Sequence, residues 1–182
     1  MAEVERVLAS LVPWLEVVGG MSWPDVEESA DTLIGNALLK ARAVAKATGV
    51  AALADDTGLF INSLDGDPGV RSARFAGEDA TDEDNVDKVL RSLNGVQDRS
   101  ARFVTVIACV TPDLRELVVE GVLQGAIGRE RLGSGGFGYD PIFFVDGRTL
   151  AQRSPEEKAQ MSHRGRALRA FAAQIGNKPL IF

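Results

Sequence analysis

One stretch constrains this chain more than any other: Ala51-Ala52-Leu53-Ala54-Asp55-Asp56-Thr57-Gly58-Leu59-Phe60. Its small apolar opening predicts a buried strand. Two adjacent carboxylates, a hydroxyl and a glycine follow, which the pattern places at the strand's end, where open α/β sheets gather ligands. Neighbouring carboxylates repel unless a cation or a proton sits with them. A hard cation such as Mg²⁺ takes oxygen ligands and commonly holds substrate phosphates as well. Asp55-Asp56 therefore reads either as a metal-holding pair that activates a water or as a solvated Asx turn. The stretch alone leaves both open.

The segments around it alternate between helix and strand patterns. Glu3 to Leu11 has Val4, Val7, Leu8 and Leu11 at helical spacing and ends before Pro13. Trp14 to Val18 reads as a short strand closed by Gly19-Gly20. Ser22 to Asp31 is an acidic loop with Asp25, Glu27, Glu28 and Asp31, from which one glutamate is expected to reach a metal. Ile34 to Thr48 is an amphipathic helix closed by Gly49, with Asn36 and Lys40 four apart on one face. Thr81-Asp82-Glu83-Asp84 opens a further helix with a Val86, Val89, Leu90, Leu93 stripe. Ala101 to Val110 and Arg115 to Leu123 predict a hairpin, with a separate short strand from Gly125. Ser154-Pro155-Glu156-Glu157 carries a capping box with proline at the first helical position. Ser162-His163-Arg164 then starts a last helix that runs to about Ile175.

Charge divides along the chain. Residues 1–128 carry 11 Lys and Arg against 21 Asp and Glu, and residues 129–182 carry 9 against 5. Acidic groups suited to a cation thus precede cationic groups suited to an anion. If the two segments face one another, a metal-bound polyanion fits between them. The overall charge of -6 argues against general nucleic-acid binding. No apolar run is long enough to cross a bilayer. The single cysteine, Cys109, and the N-terminal pattern predict a cytoplasmic setting. The 182 residues fit a single domain.

A second dense signal is Gly133-Ser134-Gly135-Gly136-Phe137-Gly138-Tyr139-Asp140-Pro141. Glycine at this density lets backbone approach a ligand and offers N–H groups to an anion. Phe137 and Tyr139 are candidates to stack on a base. The spacing is not that of a Walker loop. Lys158, His163 and Arg164 cluster in sequence around a helix start, which is itself suited to anions.

Taken together, Asn36-Ala37-Leu38-Leu39-Lys40-Ala41, Ala54-Asp55-Asp56-Thr57-Gly58-Leu59, Pro68-Gly69-Val70-Arg71-Ser72-Ala73-Arg74, Gly135 to Pro141, and Glu157-Lys158 followed by Ser162-His163-Arg164 resemble the inosine/xanthosine triphosphate pyrophosphatase family. The resemblance implies an α/β fold, two-lobed, with a long mixed β-sheet flanked by helices. It implies a homodimer, Mg²⁺ dependence, and cleavage of nonstandard purine triphosphates (ITP, dITP, XTP) to monophosphate and pyrophosphate. It makes Asp56 the catalytic, metal-binding carboxylate, with Asp55 and Glu27 (or Glu28) also at the metal. Thr57, Phe137, Gly138, Tyr139, Asp140, Lys158, His163, Arg164 and Lys40 become substrate contacts.

Two departures accompany the resemblance. The family opens with an apolar strand and a Ser/Thr-x-Asn-x-x-Lys loop, and this sequence begins on the helix expected after it. Met1 then reads as an alternative start, with weakened phosphate binding as the consequence. The family also often has Glu where this chain has Gly35, which costs a carboxylate and about 1 kcal/mol of helix propensity. The alternative function is a nucleotide-binding relative with impaired catalysis.

Overall fold

The computed structural model describes residues 2–176 apart from Gly20, Ser22 and Pro24. The glycine closure at Gly20 and the loop start at Ser22 lie outside the described residues. Five helices and six strands follow in the order α1 (Ala2–Leu11), α2 (Leu33–Thr48), β1 (Ala52–Ile61), β2 (Pro68–Gly69), α3 (Asp82–Ser92), β3 (Ser100–Val110), β4 (Glu116–Ile127), β5 (Phe143–Val145), β6 (Arg148–Thr149), α4 (Pro155–Met161) and α5 (His163–Ile175). The fold is α/β. Its sheet has the order β2-β1-β3-β4-β5-β6. The strands pair antiparallel, with Leu59 opposite Gly69, Ala126 opposite Phe144 and Phe144 opposite Thr149. The expected mixed sheet is thus an antiparallel one among the described residues. Short turns join β3 to β4 and β5 to β6, and only antiparallel neighbours can be joined so briefly.

Two compact units make up the chain. One comprises Met1–Asp56, Thr105–Gly121 and His163–Phe182, and the other Thr57–Val104 and Val122–Ser162. In the first, Leu8 and Val12 from the α1 region pack with Ile107 and Cys109 of β3 and with Leu168 and Phe171 of α5. Leu11, which the helical pattern places on the apolar face, is exposed, and Val12 takes the buried position just past the helix end. Strand and helix come very close here. A methyl group added at Gly121 of β4 would lie 2.1 Å from the His163 carbonyl oxygen and 2.3 Å from the Ala167 nitrogen of α5. In the second unit, the α3 stripe Val86, Val89 and Leu93 meets Phe103, Leu123, Ile127 and Phe143. The Phe103 and Phe143 rings stand 4.6 Å apart between centroids.

Local sequence explains most helix ends. Thr32 accepts the Gly35 N–H at the start of α2, and Gly49 closes it with φ +70°. Thr81 with Asp84, and Ser154 with Glu157, form capping boxes for α3 and α4. Three expectations change. Trp14 to Val18 is not a strand: Pro13-Trp14 is a turn and Val18 is exposed. The Trp14 indole N–H donates instead to the Gly176 carbonyl at 3.2 Å, and an apolar run with no ladder partner has nothing to hold it extended. β1 does not end at the aspartates but runs through them to Ile61, because Leu59 and Ile61 are both fully buried. β4 continues to Ile127 and absorbs the separate strand expected from Gly125. Among the described residues no helix is long and apolar enough to cross a membrane.

Candidate active site

In the first unit, Asp56 is the focus. Successive strand residues point to opposite faces, so Asp55 and Asp56 part company. Asp56 is buried, and its Oδ1 accepts a hydrogen bond from Lys40 Nζ at 2.9 Å. The same ammonium donates to Glu28 Oε1 at 2.8 Å. Asn36, one helical turn before Lys40 on α2, brings its Nδ2 to 3.5 Å from Asp56 Oδ2 and accepts the Ala30 N–H at 2.9 Å. The i, i+4 spacing of Asn36 and Lys40 is what aims both at one carboxylate.

The electrostatics are unequal. Burial pushes the Asp56 carboxyl above the usual carboxylate range. Hydrogen bonding and charge from Lys40 pull it back, while Glu28 adds repulsion. Burial works against the Lys40 ammonium too, but hydrogen bonds and charge from Glu28 and Asp56 outweigh it and hold its pKa above the ordinary value. The gain from ion pairing therefore shows on the lysine. The aspartate, sharing its cation with a second carboxylate, stays dominated by desolvation.

Asp55 takes a different partner. Its Oδ2 accepts from Arg164 Nε at 3.1 Å and from Nη2 at 2.9 Å. The preceding residue, His163, is buried at the start of α5 with Nδ1 2.6 Å from the Thr105 hydroxyl on β3. Thr105 carried no signal in sequence. Nothing in a lone threonine on an apolar strand announces a polar partner 58 residues away.

In the second unit, the glycine-rich segment is held by carboxylates. Asp140 Oδ2 accepts the Phe137 N–H at 3.0 Å and is ion-paired with Lys158 Nζ. Asp82 Oδ2 accepts the Gly138 N–H at 2.7 Å. Of the N–H groups expected to face an anion, those of Phe137 and Gly138 are taken by side chains of the chain itself. Gly136 is glycine for a local reason. Its φ is +78°, and a methyl group there would lie 2.0 Å from Asp140 Oδ2. Phe137 remains 62% exposed, with Lys158 Nζ 5.3 Å from its ring centroid.

The predicted site residues sort accordingly. Lys40 and Asp56 come together, and the loop glutamate that joins them is Glu28, while Glu27 is exposed. Asp55 is engaged by Arg164 rather than gathered with Asp56, which strand alternation dictates. Tyr139 is not a stacking platform: its ring is buried in the core of the second unit, and its hydroxyl donates to the Ser72 carbonyl at 2.8 Å. Burial raises its pKa, so it stays a protonated donor. Asp140 is likewise buried, supporting the loop beneath Phe137. Thr57 is half-buried in β1. Lys158 pairs with Asp140, His163 with Thr105 and Arg164 with Asp55. At Gly35, a Cβ would lie 2.6 Å from the Ala30 Cβ and 3.0 Å from Thr32 Oγ1, so the loop before α2 occupies the space of a side chain.

A strand carboxylate, Asp56, and a loop carboxylate, Glu28, meet on one helix lysine in an antiparallel α/β fold, a feature of this class of protein. Within that class, the chain belongs to the Ham1 family, whose signature matches residues 1–174. It is 49% identical over 182 residues to a dITP/XTP pyrophosphatase of Escherichia coli O157:H7, covering 94% of this chain and 92% of that protein. It is 46% identical over 185 residues to a dITP/XTP pyrophosphatase of Coxiella burnetii, covering 96% and 90%. The solved structure of a HAM1 protein from Coxiella burnetii superposes with a TM-score of 0.87 at 42% identity, covering 96% of this chain and 93% of that one. A nucleoside-triphosphatase / dITP/XTP pyrophosphatase from Mycobacterium abscessus gives 0.76 at 43% identity, with coverage of 96% and 93%.

Proposed function

We propose that this chain hydrolyses nonstandard purine nucleoside triphosphates (dITP, ITP and XTP) to the monophosphate and pyrophosphate, with Asp56 as the base that orients and deprotonates the attacking water. The observation that carries this reading is the buried Asp56 carboxylate sharing Lys40 with Glu28, in a chain of the Ham1 family. The relatives' activity sets the substrate class. A carboxylate whose proton affinity is raised by burial is a better base near neutral pH than an exposed one, and general base catalysis contributes about 10²–10⁴-fold. Lys40 holds Asp56 in place and tempers its rise.

The donor chemistry suits a hard divalent cation. Asp56 and Glu28 both present carboxylate oxygens, the donor type such a cation prefers, beside Lys40. No group of three potential ligands occurs among the described residues. Mg²⁺ commonly binds one or two carboxylates and completes its shell with phosphates and water. Asp56 and Glu28 would hold it, and when bound it would supply charge neutralisation to the phosphate oxygens. Phe137 offers an exposed ring on which a purine stacks, and the chain's Asp140–Lys158 pair keeps that ring's backbone in place.

The test is pyrophosphate release by the 182-residue chain from dITP, ITP, XTP, ATP and GTP, with and without Mg²⁺. Mg²⁺-dependent release favouring the first three is expected. A folded protein that binds these nucleotides without releasing pyrophosphate overturns the hydrolase reading.

A further inference from the structure

The loop that presents Phe137 is fixed from a direction the catalytic reading does not use. Its backbone is gripped on two sides. Asp140 takes the Phe137 N–H, and Asp82, in the first turn of α3, takes the N–H of Gly138 at 2.7 Å. Its neighbour Tyr139 is anchored in the core, but Gly138 has no side chain of its own to pack. Its φ is +56°, and a Cβ there would meet nothing within 4 Å. Nor does α3 need Asp82 as its cap. Thr81 Oγ1 accepts the Asp84 N–H at 3.2 Å, and Asp84 Oδ2 accepts the Thr81 N–H at 2.9 Å, so the helix start is closed without it. Asp82 is thus spared for a contact 56 residues away in sequence.

We propose that Asp82 is a positioning residue for substrate binding: its carboxylate sets the backbone of Gly138 and thereby the face that Phe137 offers to a purine base. The proposal rests on the nucleotide reading above. Tyr139 and Asp140 anchor the loop on one side of Gly138, and the Asp82 carboxylate sets the direction of the Gly138 amide. A carboxylate accepting a backbone N–H makes a charge-assisted bond, stronger than a neutral one. Holding the ring ready before the base arrives spares the complex the ordering that binding would otherwise require.

The experiment compares Asp82→Ala and Asp82→Asn with the unaltered chain. It reads KM and kcat for pyrophosphate release from dITP, the affinity for ITP, the melting temperature, and the exchange rate of the Gly138 amide proton by NMR. Asp82→Ala should raise KM about tenfold, the size a charge-assisted hydrogen bond supports, with kcat nearly unchanged and the Gly138 amide exchanging faster. Asp82→Asn keeps an oxygen acceptor while losing the charge. It should recover most of the affinity and the slow exchange. If both variants instead lose melting temperature equally with KM unchanged, Asp82 serves only the helix dipole and the proposal fails. If the unaltered chain releases no pyrophosphate, the hydrolase reading falls. The Asp82 assignment is still decided by ITP affinity and Gly138 exchange: a loss of both in Asp82→Ala that Asp82→Asn restores supports it, and values unchanged in Asp82→Ala overturn it.

Discussion

Asp56 and Asp140 are both buried aspartates facing a lysine, one in each unit, and they are set up for different ends. Lys40 serves two carboxylates, Asp56 and Glu28. Lys158 serves Asp140, whose Oδ2 is also taken by a backbone N–H from the loop it supports. The second pair balances and acts as a latch. The first shares one cation between two carboxylates. The difference teaches that two buried aspartates are told apart by how their lysine is shared, with a second carboxylate in one case and beside a backbone amide in the other; burial is common to both.

Replacing each aspartate should pull the two apart. Asp56→Asn is expected to cut pyrophosphate release about a thousandfold, within the range of general base catalysis, while the protein stays folded. Asp140→Asn should leave measurable turnover but cost roughly 3 kcal/mol in denaturant unfolding, because it strands the Lys158 ammonium without its counter-charge. Similar turnover losses in the two variants would break the contrast.

Two glycines extend it from charge to backbone. Gly121→Ala in the first unit drives a methyl into the α5 backbone and should cost about 3 kcal/mol, the upper end for overpacking. Gly138→Ala in the second has open space and only its positive φ to contend with, worth about 1 kcal/mol. Chemical denaturation of both variants measures the gap, and equal losses would deny that β4 and α5 are as close as described.

The smallest expected effect is on pH dependence. Asp56 must be ionised to act as a base, so activity falls as pH drops through its folded pKa, which burial raises. Lys40 lowers that pKa, so Lys40→Met should move the acid limb of kcat/KM to higher pH. Stability follows the opposite sense. A raised folded pKa favours the fold below the ordinary carboxylate value, and that contribution is lost as pH rises through the folded pKa. The stability of Asp56→Asn relative to the unaltered chain should therefore improve from acid toward neutral pH. An acid limb that stays put in Lys40→Met would separate Lys40 from the titration of Asp56.

Local patterns were legible in the sequence, and long-range partnerships were not. The capping box at Ser154 and Glu157, the C-terminal glycine at Gly49 and the Asn36/Lys40 spacing all read correctly, because each is decided within a few residues. The glycine-rich segment was visible as a loop, but the partners of its amides lie 3 and 56 residues away. Only the tertiary fold brings up the two carboxylates that take those amides. Tyr139 failed for a related reason. Alternation with glycine marks exposure only if the loop is extended, and here a turn drives that ring into the core. The choice of Glu28 over Glu27 depended on which way an irregular loop faces, which no periodicity encodes.

Gly35 carries a consequence for how this sequence can change. The Ala30 methyl stands where a Cβ on residue 35 would go, and neither atom is the far end of a flexible chain. Any side chain at position 35 is thus conditional on position 30. An acidic residue introduced at 35 alone must push the loop before α2 aside, whereas Ala30→Gly made first would leave chiefly the Thr32 hydroxyl to give way. The two positions form an ordered pair of steps, and a carboxylate beside Asn36 is reachable along one order and obstructed along the other.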